Sequence, residues 1–248
     1  MPLALQAGLW GLLAGSALLL GAAIGWYAHL PQRFIAAIMA FGSGVLISAL
    51  SFELVDEAWG RSGFPATALG FLTGAIIFTA ANVVVSRLGA KHRKRSGQQQ
   101  REENSSGLVL AIGALLDGIP ESIVIGVSLI GGGTVSWVAT AAVFLSNVPE
   151  GLSSSAGMRK AGRSVAAVLG MWATIAAASG LAASVGYIAF AGADPSAVAF
   201  VQALAAGAIL AMIVDTMIPE AFEATHEFSG LIAVAGFLAA FTLSKLSG

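Results

Sequence analysis

The sequence predicts an all-α integral membrane protein with eight transmembrane helices in a 3+2+3 arrangement. Of its 248 residues, 57% are hydrophobic and only 10% are charged, whereas a soluble domain carries about 25% charged residues. A helix needs roughly 20 apolar residues to cross a bilayer, and eight such stretches follow one another along the chain. The first three and the last three also share a weak repeat, with two spans between them.

The eight spans form a single polytopic membrane domain, residues 1–248. The first span begins without the basic segment of a signal peptide and ends at Trp26 and Tyr27, which suit a membrane interface. Residues 89–106 are polar and of low complexity, so we predict a flexible cytoplasmic loop between spans three and four. The glycines at 131–133 predict a tight turn between spans four and five. The predicted spans are residues 4–27, 34–55, 66–88, 107–130, 134–158, 164–190, 197–221 and 228–246.

The basic residues predict the orientation of the chain, because Lys and Arg accumulate in cytoplasmic loops. With the N-terminus outside, ten of the twelve fall on the cytoplasmic side and only Arg61 and Lys245 lie outside. We therefore predict a multi-pass protein of the plasma (cytoplasmic) membrane with both termini outside.

The net charge and the cysteine count exclude several classes of function. A net charge of −1 without a basic domain gives no support for a nucleic-acid partner. The absence of cysteine excludes disulfides, thiolate metal sites and Cys catalysis. The predicted partners are membrane lipid and a transported ion.

The repeat aligns residues 44–58 with residues 207–221 without gaps. The first glycines, the glutamates Glu57 and Glu220, and the closing alanines coincide. In the predicted topology the first segment runs outward and the second inward, which is the pattern of an inverted repeat and is common in alternating-access transporters. Spans one to three would then mirror spans six to eight.

Four acidic residues fall well inside the predicted spans, while all Lys, Arg and His lie near span ends or in loops. One such carboxyl group could stay protonated and bond one helix to another. An ionised carboxylate in hydrocarbon costs about 2.5 kcal/mol or more on insertion scales, so several together require protons, water or a transported cation. This distribution points to cation translocation. The four residues are Asp117, Glu121, Glu150 and Asp215.

Spans four and five each carry a polar pair at helical spacing. Asp117 and Glu121 are four residues apart, as are Ser146 and Glu150, so each pair shares one face of its helix. Asn147 follows Ser146 and adds an amide oxygen. These residues are the candidate metal ligands.

Three of the seven prolines directly precede a glutamate. Inside a helix, proline removes a backbone hydrogen bond and leaves a carbonyl free one turn earlier. Pro120, Pro149 and Pro219 are therefore predicted helix kinks, and the first two would expose carbonyl oxygens beside the candidate ligands.

Acidic residues also cluster at two span ends. They are either solvated helix ends or acidic funnels that concentrate cations at the two mouths of a pathway. The matched repeat positions of Glu57 and Glu220 favour the second interpretation. The candidate pathway residues are Glu53, Asp56, Glu57, Asp215, Glu220 and Glu223.

Over essentially its whole length the chain resembles the ZIP family of divalent metal transporters. The resemblance is carried by eight spans with both termini outside, the long cytoplasmic loop after span three, and the Pro-Glu motifs of spans four and five. It extends to residues 214–221, Val-Asp-Thr-Met-Ile-Pro-Glu-Ala. In that family, a His-Asn-x-Pro-Glu-Gly-like motif in span four and a related motif in span five form a two-metal site at mid-membrane.

The resemblance implies a role for each motif residue, with departures from the family pattern. In span four Asp117 stands where the family usually has His, Gly118 replaces the Asn, and Glu121 matches the Glu. In span five the first two motif positions and the Glu are Ser146, Asn147 and Glu150. The acidic residue that often follows Ser-Gly-Leu in span six is replaced by alanine, at residues 182–183.

The loss of histidine leaves an all-oxygen site. Such ligands suit manganese, magnesium or calcium and tolerate iron(II), and zinc also accepts carboxylates. The predicted substrate is zinc, iron(II) or manganese, taken up through one main site of Asp117, Glu121 and Glu150 with Ser146 or Asn147. No organic cofactor is predicted, and family habit makes a homodimer a further expectation.

Two other classes of function remain open. A proton-linked or structural membrane protein of the same fold would keep the carboxylates and bind no metal. An intramembrane aspartyl protease is a remote alternative, because Asp117 and Asp215 supply two carboxyl groups but its Gly-x-Gly-Asp signature is absent. A rhomboid-type enzyme would need a histidine base at membrane depth. We therefore predict that the protein is not an enzyme.

Overall fold

The computed structural model describes residues 1–90, 107–130 and 137–247, and every regular element in these ranges is helical. The all-α prediction is therefore confirmed for this part of the chain. The predicted loop lies outside the described residues from 91 to 106, and so does the turn at 131–133. The α-helices are α1 (Leu3–Tyr27), α2 (Gln32–Ala49), α3 (Asp56–Val85), α4 (Gly107–Val127), α5 (Trp137–Lys160), α6 (Val165–Phe190), α7 (Pro195–Met212), α8 (Ile218–Thr225) and α9 (Ser229–Ser247).

Short non-α segments join several of these helices. The π-helical segment Leu50–Val55 connects α2 to α3, and Ile213–Met217 connects α7 to α8. A third, Ser86–Ala90, follows α3, and the 3₁₀ turn His226–Phe228 precedes α9. Because a π turn inserts one extra residue, each segment changes which side chains face the core after it.

Five helical runs among the described residues are long and apolar enough to cross a bilayer, by length and composition. Two of them, Gln32–Leu88 and Pro195–Leu246, contain 57 and 52 residues, more than twice the roughly 20 that one crossing needs. The others are Leu3–Tyr27, Leu110–Val127 and Val165–Phe190. These helices are compatible with an all-α membrane protein.

Helix α5 is not among the five, because serines, an asparagine and a glutamate lower its hydropathy. Its position in the bundle explains how it tolerates them. Residues 149–158 are all buried, and α5 packs against both α1 and α2. The most polar helix is thus enclosed by apolar ones.

The sequence predicts a break between spans two and three at residues 56–65. Within that range the backbone leaves the helical conformation at Gly63 alone, whose φ is 69° and ψ −169°, and two helical stretches of α3 meet across this kink. Positive φ is accessible to glycine at no steric cost, so one residue is enough to turn the helix. Pro65 follows, at a position where the missing N–H needs no partner.

The segments on either side of α4 and α5 follow the same order of elements at a nearly constant spacing. Helices α2 and α7 begin at Gln32 and Pro195, 163 positions apart, and each has 18 residues. Their π segments begin at Leu50 and Ile213, again 163 apart. Among the residues that the structure describes, positive φ occurs at Gly162, at Gly63 and at His226, and the last two are again 163 positions apart. The helix boundaries thus match the repeat seen in the sequence.

The helices pack as two groups. In one, α1 packs against α5 and α6, and α4 packs against α6. In the other, α2 packs against α9 and α3 against α7, so each half of the repeat pairs its helices with those of the other half. The groups meet where α2 contacts α5 and where α4 contacts α7.

Glycine permits the two reciprocal crossings of the second group. A Cβ on Gly207 of α7 would lie 1.9 Å from the carbonyl oxygen of Phe71 in α3, and one on Gly44 of α2 would lie 1.8 Å from that of Ala233 in α9. These are the two glycines that the repeat aligns. A methyl group at either position would push the helices apart.

We expect Gly207→Ala to lower the thermal unfolding temperature in detergent. The added methyl group would clash with the carbonyl oxygen of Phe71, and the backbone shift that removes the clash costs about 1–3 kcal/mol of folding free energy. The control is Gly170→Ala in α6, where a Cβ meets nothing within 4 Å and alanine should stabilise the helix slightly. Equal unfolding temperatures for the two variants would contradict the close crossing of α3 and α7.

Candidate cation site

The candidate site lies midway along two helices. Asp117 is ten residues from each end of α4, about 15 Å along the axis. Glu150 is thirteen residues from the start of α5 and ten from its end, about 20 and 15 Å. Both residues therefore lie at least about 15 Å along the axis from the nearer end of their helix.

One narrow cavity joins these two residues. The volume of this cavity is about 10 Å³, roughly the space for one water molecule or one bare cation. Three polar side chains lie on its wall, from Asp117 of α4 and from Glu150 and Ser154 of α5. The remaining lining residues are Leu110, Ala114, Met171 and Trp172.

A larger cavity lies next to this one. It has a volume of about 270 Å³ and shares Leu110 and Met171 with the narrow cavity. From there it extends along α6 towards the α5–α6 junction, where Arg163 is part of its wall. Leu110 and Met171 thus lie beside both cavities and contribute to both walls.

All five predicted ligands are buried, with 1–4% of each residue exposed. The structure brings only two of them, Asp117 and Glu150, to the narrow cavity. Glu121 is buried one turn further along α4. Within residues 1–90, 107–130 and 137–247, no three Asp, Glu, His or Cys side chains form a group that could hold a metal ion. The carboxylate set at the cavity is therefore a pair.

The two polar neighbours of Glu150 contact other groups. The Ser146 hydroxyl donates to the carbonyl of Val143 at 2.9 Å. The Asn147 amide nitrogen donates to the carbonyl of Ala14 in α1 at 3.0 Å. In this arrangement Asn147 ties α5 to α1, which helps to fix the helix that carries Glu150.

The sequence places Asp215 well inside span seven, and in the structure this residue differs from the other three carboxylates of the spans. Its side chain is exposed, because the π segment Ile213–Met217 moves the next core-facing position to Met217. The buried acidic residue of this region is Glu220, which is 5% exposed. Asp56 is exposed, and Glu53, Glu57 and Glu223 are half-buried.

The predicted kinks differ in kind. Pro120 and Pro149 lie inside α4 and α5, as expected. Pro219 instead lies in the first turn of α8, directly after the π segment Ile213–Met217.

Glu57 and Glu220, the matched glutamates of the repeat, each belong to a link between the two helix groups. Glu57 accepts from Gln202 of α7 at 2.6 Å and from Arg61 at 2.5 Å. The Arg61 guanidinium also donates to the carbonyl of Ile130, just beyond α4, at 3.2 Å. Glu220 accepts from Ser153 of α5 at 3.1 Å. The link through Glu57 and Arg61 thus reaches the end of α4, and the link through Glu220 reaches α5.

Sequence reasoning missed several polar residues of the site. Ser154 is four residues after Glu150, so the spacing used for Ser146 would have found it. Gln202 is fully buried and is the one amide in an otherwise apolar α7. Trp172 is the one tryptophan of α6, among small residues. Nothing in the sequence places Ser153 beside Glu220.

Comparison of the chain with protein-family models and with curated proteins found no match. Inference about its function therefore rests on its own residues and their arrangement.

We expect Arg61→Ala to loosen the chain just beyond α4. The hydrogen bond to Ile130 should contribute about 0.5–1.5 kcal/mol, while the Arg61–Glu57 pair, with side chains 23% and 37% exposed, adds little in water. Hydrogen exchange of the amides at residues 128–130 should speed up about three- to tenfold. Arg33→Ala, at an exposed position in α2, is the control and should leave these amides unchanged. No increase in Arg61→Ala would show that the link does not order this segment.

Proposed function

We propose that the protein transports a divalent metal cation across the membrane through the cavity between α4 and α5. The observation that carries the proposal is the meeting of Asp117 and Glu150 at one narrow, otherwise largely apolar cavity. Two carboxylates at such a place repel each other and lose hydration. A divalent cation offsets both costs, since it binds carboxylate oxygens directly.

The burial of α5 supports the same proposal. A helix with Ser146, Asn147, Glu150 and three consecutive serines at 153–155 would be costly against lipid. Enclosure by α1 and α2 keeps these groups away from the bilayer. A polar helix held inside an apolar bundle is a feature of a substrate pathway rather than of a purely structural core.

The repeat supports eight crossings with termini outside. Gly63 and His226 would then mark the turns between spans two and three and between spans seven and eight. The two halves would lie inverted in the membrane, and their reciprocal packing of α2 with α9 and α3 with α7 is what a two-fold relation produces. Such repeats commonly give two states that open to opposite sides.

In this topology the larger cavity lies on the cytoplasmic side, since Arg163 is in a predicted cytoplasmic loop. The structure would then correspond to a state in which Leu110 and Met171 separate the cation site from the cytoplasm. The Arg61–Ile130 link lies on the outer side and the Ser153–Glu220 link on the inner side. Alternate release of these links would let one helix group move relative to the other.

The chemistry of the donor set favours zinc, iron(II) or manganese as substrate. Asp117 and Glu150 supply carboxylate oxygens and Ser154 a hydroxyl oxygen, and Glu121 lies one turn along α4 as a further position on the route. The Pro-Glu motifs that resemble those of ZIP transporters support a metal substrate. The cation moves toward the cytoplasm in this proposal.

The experiment is cation uptake into proteoliposomes, measured with zinc, iron(II), manganese, cadmium and magnesium. We expect saturable uptake of at least one transition metal ion, and we expect Glu150→Ala and Glu121→Ala to abolish it. Asp194→Asn is the matched control, because Asp194 caps α7 at an exposed position and asparagine also caps helices.

The outcomes separate the alternatives. Flat uptake of all five cations by the wild type would contradict metal transport and leave a proton-linked or structural role for the carboxylates. Uptake that survives both glutamate substitutions would show that the cation follows another route.

A further inference from the structure

Trp172 carries a buried hydrogen-bond donor beside the narrow cavity. The residue is 1% exposed, and its indole nitrogen has no hydrogen-bond partner among the described residues. Leaving a buried N–H without an acceptor costs about 1–3 kcal/mol. Such a group in a native structure requires an explanation, and water or an ion is a common one.

The place of this donor suggests the explanation. Trp172 lines the narrow cavity together with Asp117 and Glu150. The indole N–H cannot ligate a cation, because the group is a donor only and its hydrogen carries a partial positive charge. It can bind an oxygen atom, and the cavity has room for about one water molecule.

The three groups complement a water molecule. Its oxygen can accept from the indole N–H, while its two hydrogens can donate to the carboxylates of Asp117 and Glu150. When a cation is present, one lone pair of the same water oxygen can coordinate the cation, while the other lone pair still accepts the hydrogen bond from the indole N–H. The donor and the carboxylates therefore act on opposite ends of one bound water.

We propose that Trp172 holds a water molecule that remains a ligand of the transported cation, an inference that rests on the proposed cation site. The cation binds as a partly hydrated ion, with oxygens from Asp117, Glu150 and Ser154 and one from this water, so the cavity, which has space for about one water molecule, widens when the cation enters. Trp172 is a positioning residue, since it acts through the water rather than by touching the cation.

This role selects among cations. Hard ions such as magnesium and manganese keep water ligands more readily than softer ions such as cadmium. A site that includes an oriented water should therefore favour manganese over cadmium more than two carboxylates and a hydroxyl alone would.

The test is Trp172→Phe, which keeps an aromatic ring and removes the N–H. The matched control is Trp26→Phe, because Trp26 packs against the same hydrophobic cluster and does not line the cavity. Uptake into proteoliposomes is measured against concentration for manganese and for cadmium, and intrinsic fluorescence is recorded during titration with manganese.

We expect Trp172→Phe to raise the apparent KM for manganese about three- to tenfold, as loss of one hydrogen bond implies. The KM for cadmium should change less than twofold, and kcat should stay within about twofold for both. The fluorescence change on manganese binding should be lost in Trp172→Phe and retained in Trp26→Phe.

Phenylalanine is smaller than tryptophan, so a packing defect has to be distinguished from loss of the donor. The second variant introduces 3-benzothienylalanine at position 172 alone, which keeps the fused ring and replaces N–H by sulfur. The proposal requires the same manganese-selective rise in KM in this variant.

Two outcomes would overturn the proposal. Equal changes for manganese and cadmium, or a benzothienyl variant that behaves as wild type, would assign Trp172 to packing while metal transport itself stands. Absence of divalent uptake by the wild type would instead remove the proposed function and this inference together.

Discussion

The structure depends on the burial of two carboxyl groups against one narrow cavity in the middle of a helical bundle. Asp117 and Glu150 come from different helices, α4 and α5, and meet at a cavity with space for about one water molecule. Two negatively charged carboxylates buried away from solvent oppose folding unless protons or a cation neutralise them. The enclosure of α5 and its hydrogen bond from Asn147 to α1 follow from this constraint, because they hold a polar helix in place without exposing it.

The second helix group supplies a frame for this site. Its reciprocal crossings, α2 with α9 and α3 with α7, rest on glycines that let the backbones approach closely. In a bilayer the hydrophobic effect does not drive helices together, because lipid tails are as apolar as the side chains. Helices there associate mainly by close packing at small residues. The π segments and the residues of positive φ recur at the same spacing in both halves. The repeat thus extends from sequence to backbone geometry, and each matched glutamate belongs to a hydrogen-bonded link towards α4 or α5.

Much of this could be predicted from the sequence, because apolar length and polar spacing are local properties. The helical class, the repeat and the burial of Asp117 and Glu150 were predicted in this way. The exposure of Asp215 was not, since a π segment changes the helix face without a clear sequence signal. Gly63 was not recognised as the turn because its φ depends on packing at both sides of the kink. The indole of Trp172 reaches the cavity from α6, a contact distant in sequence that no local pattern reveals.

The most direct measurement is diffraction from crystals of the wild-type protein grown with Mn²⁺, with data collected at the manganese absorption edge. The account predicts an anomalous difference peak between the carboxylates of Asp117 and Glu150, with a water oxygen between the metal and Trp172. A peak confined to exposed acidic residues such as Asp56 and Asp215, or no peak in the bundle at saturating Mn²⁺, would contradict the claim that this cavity binds the cation.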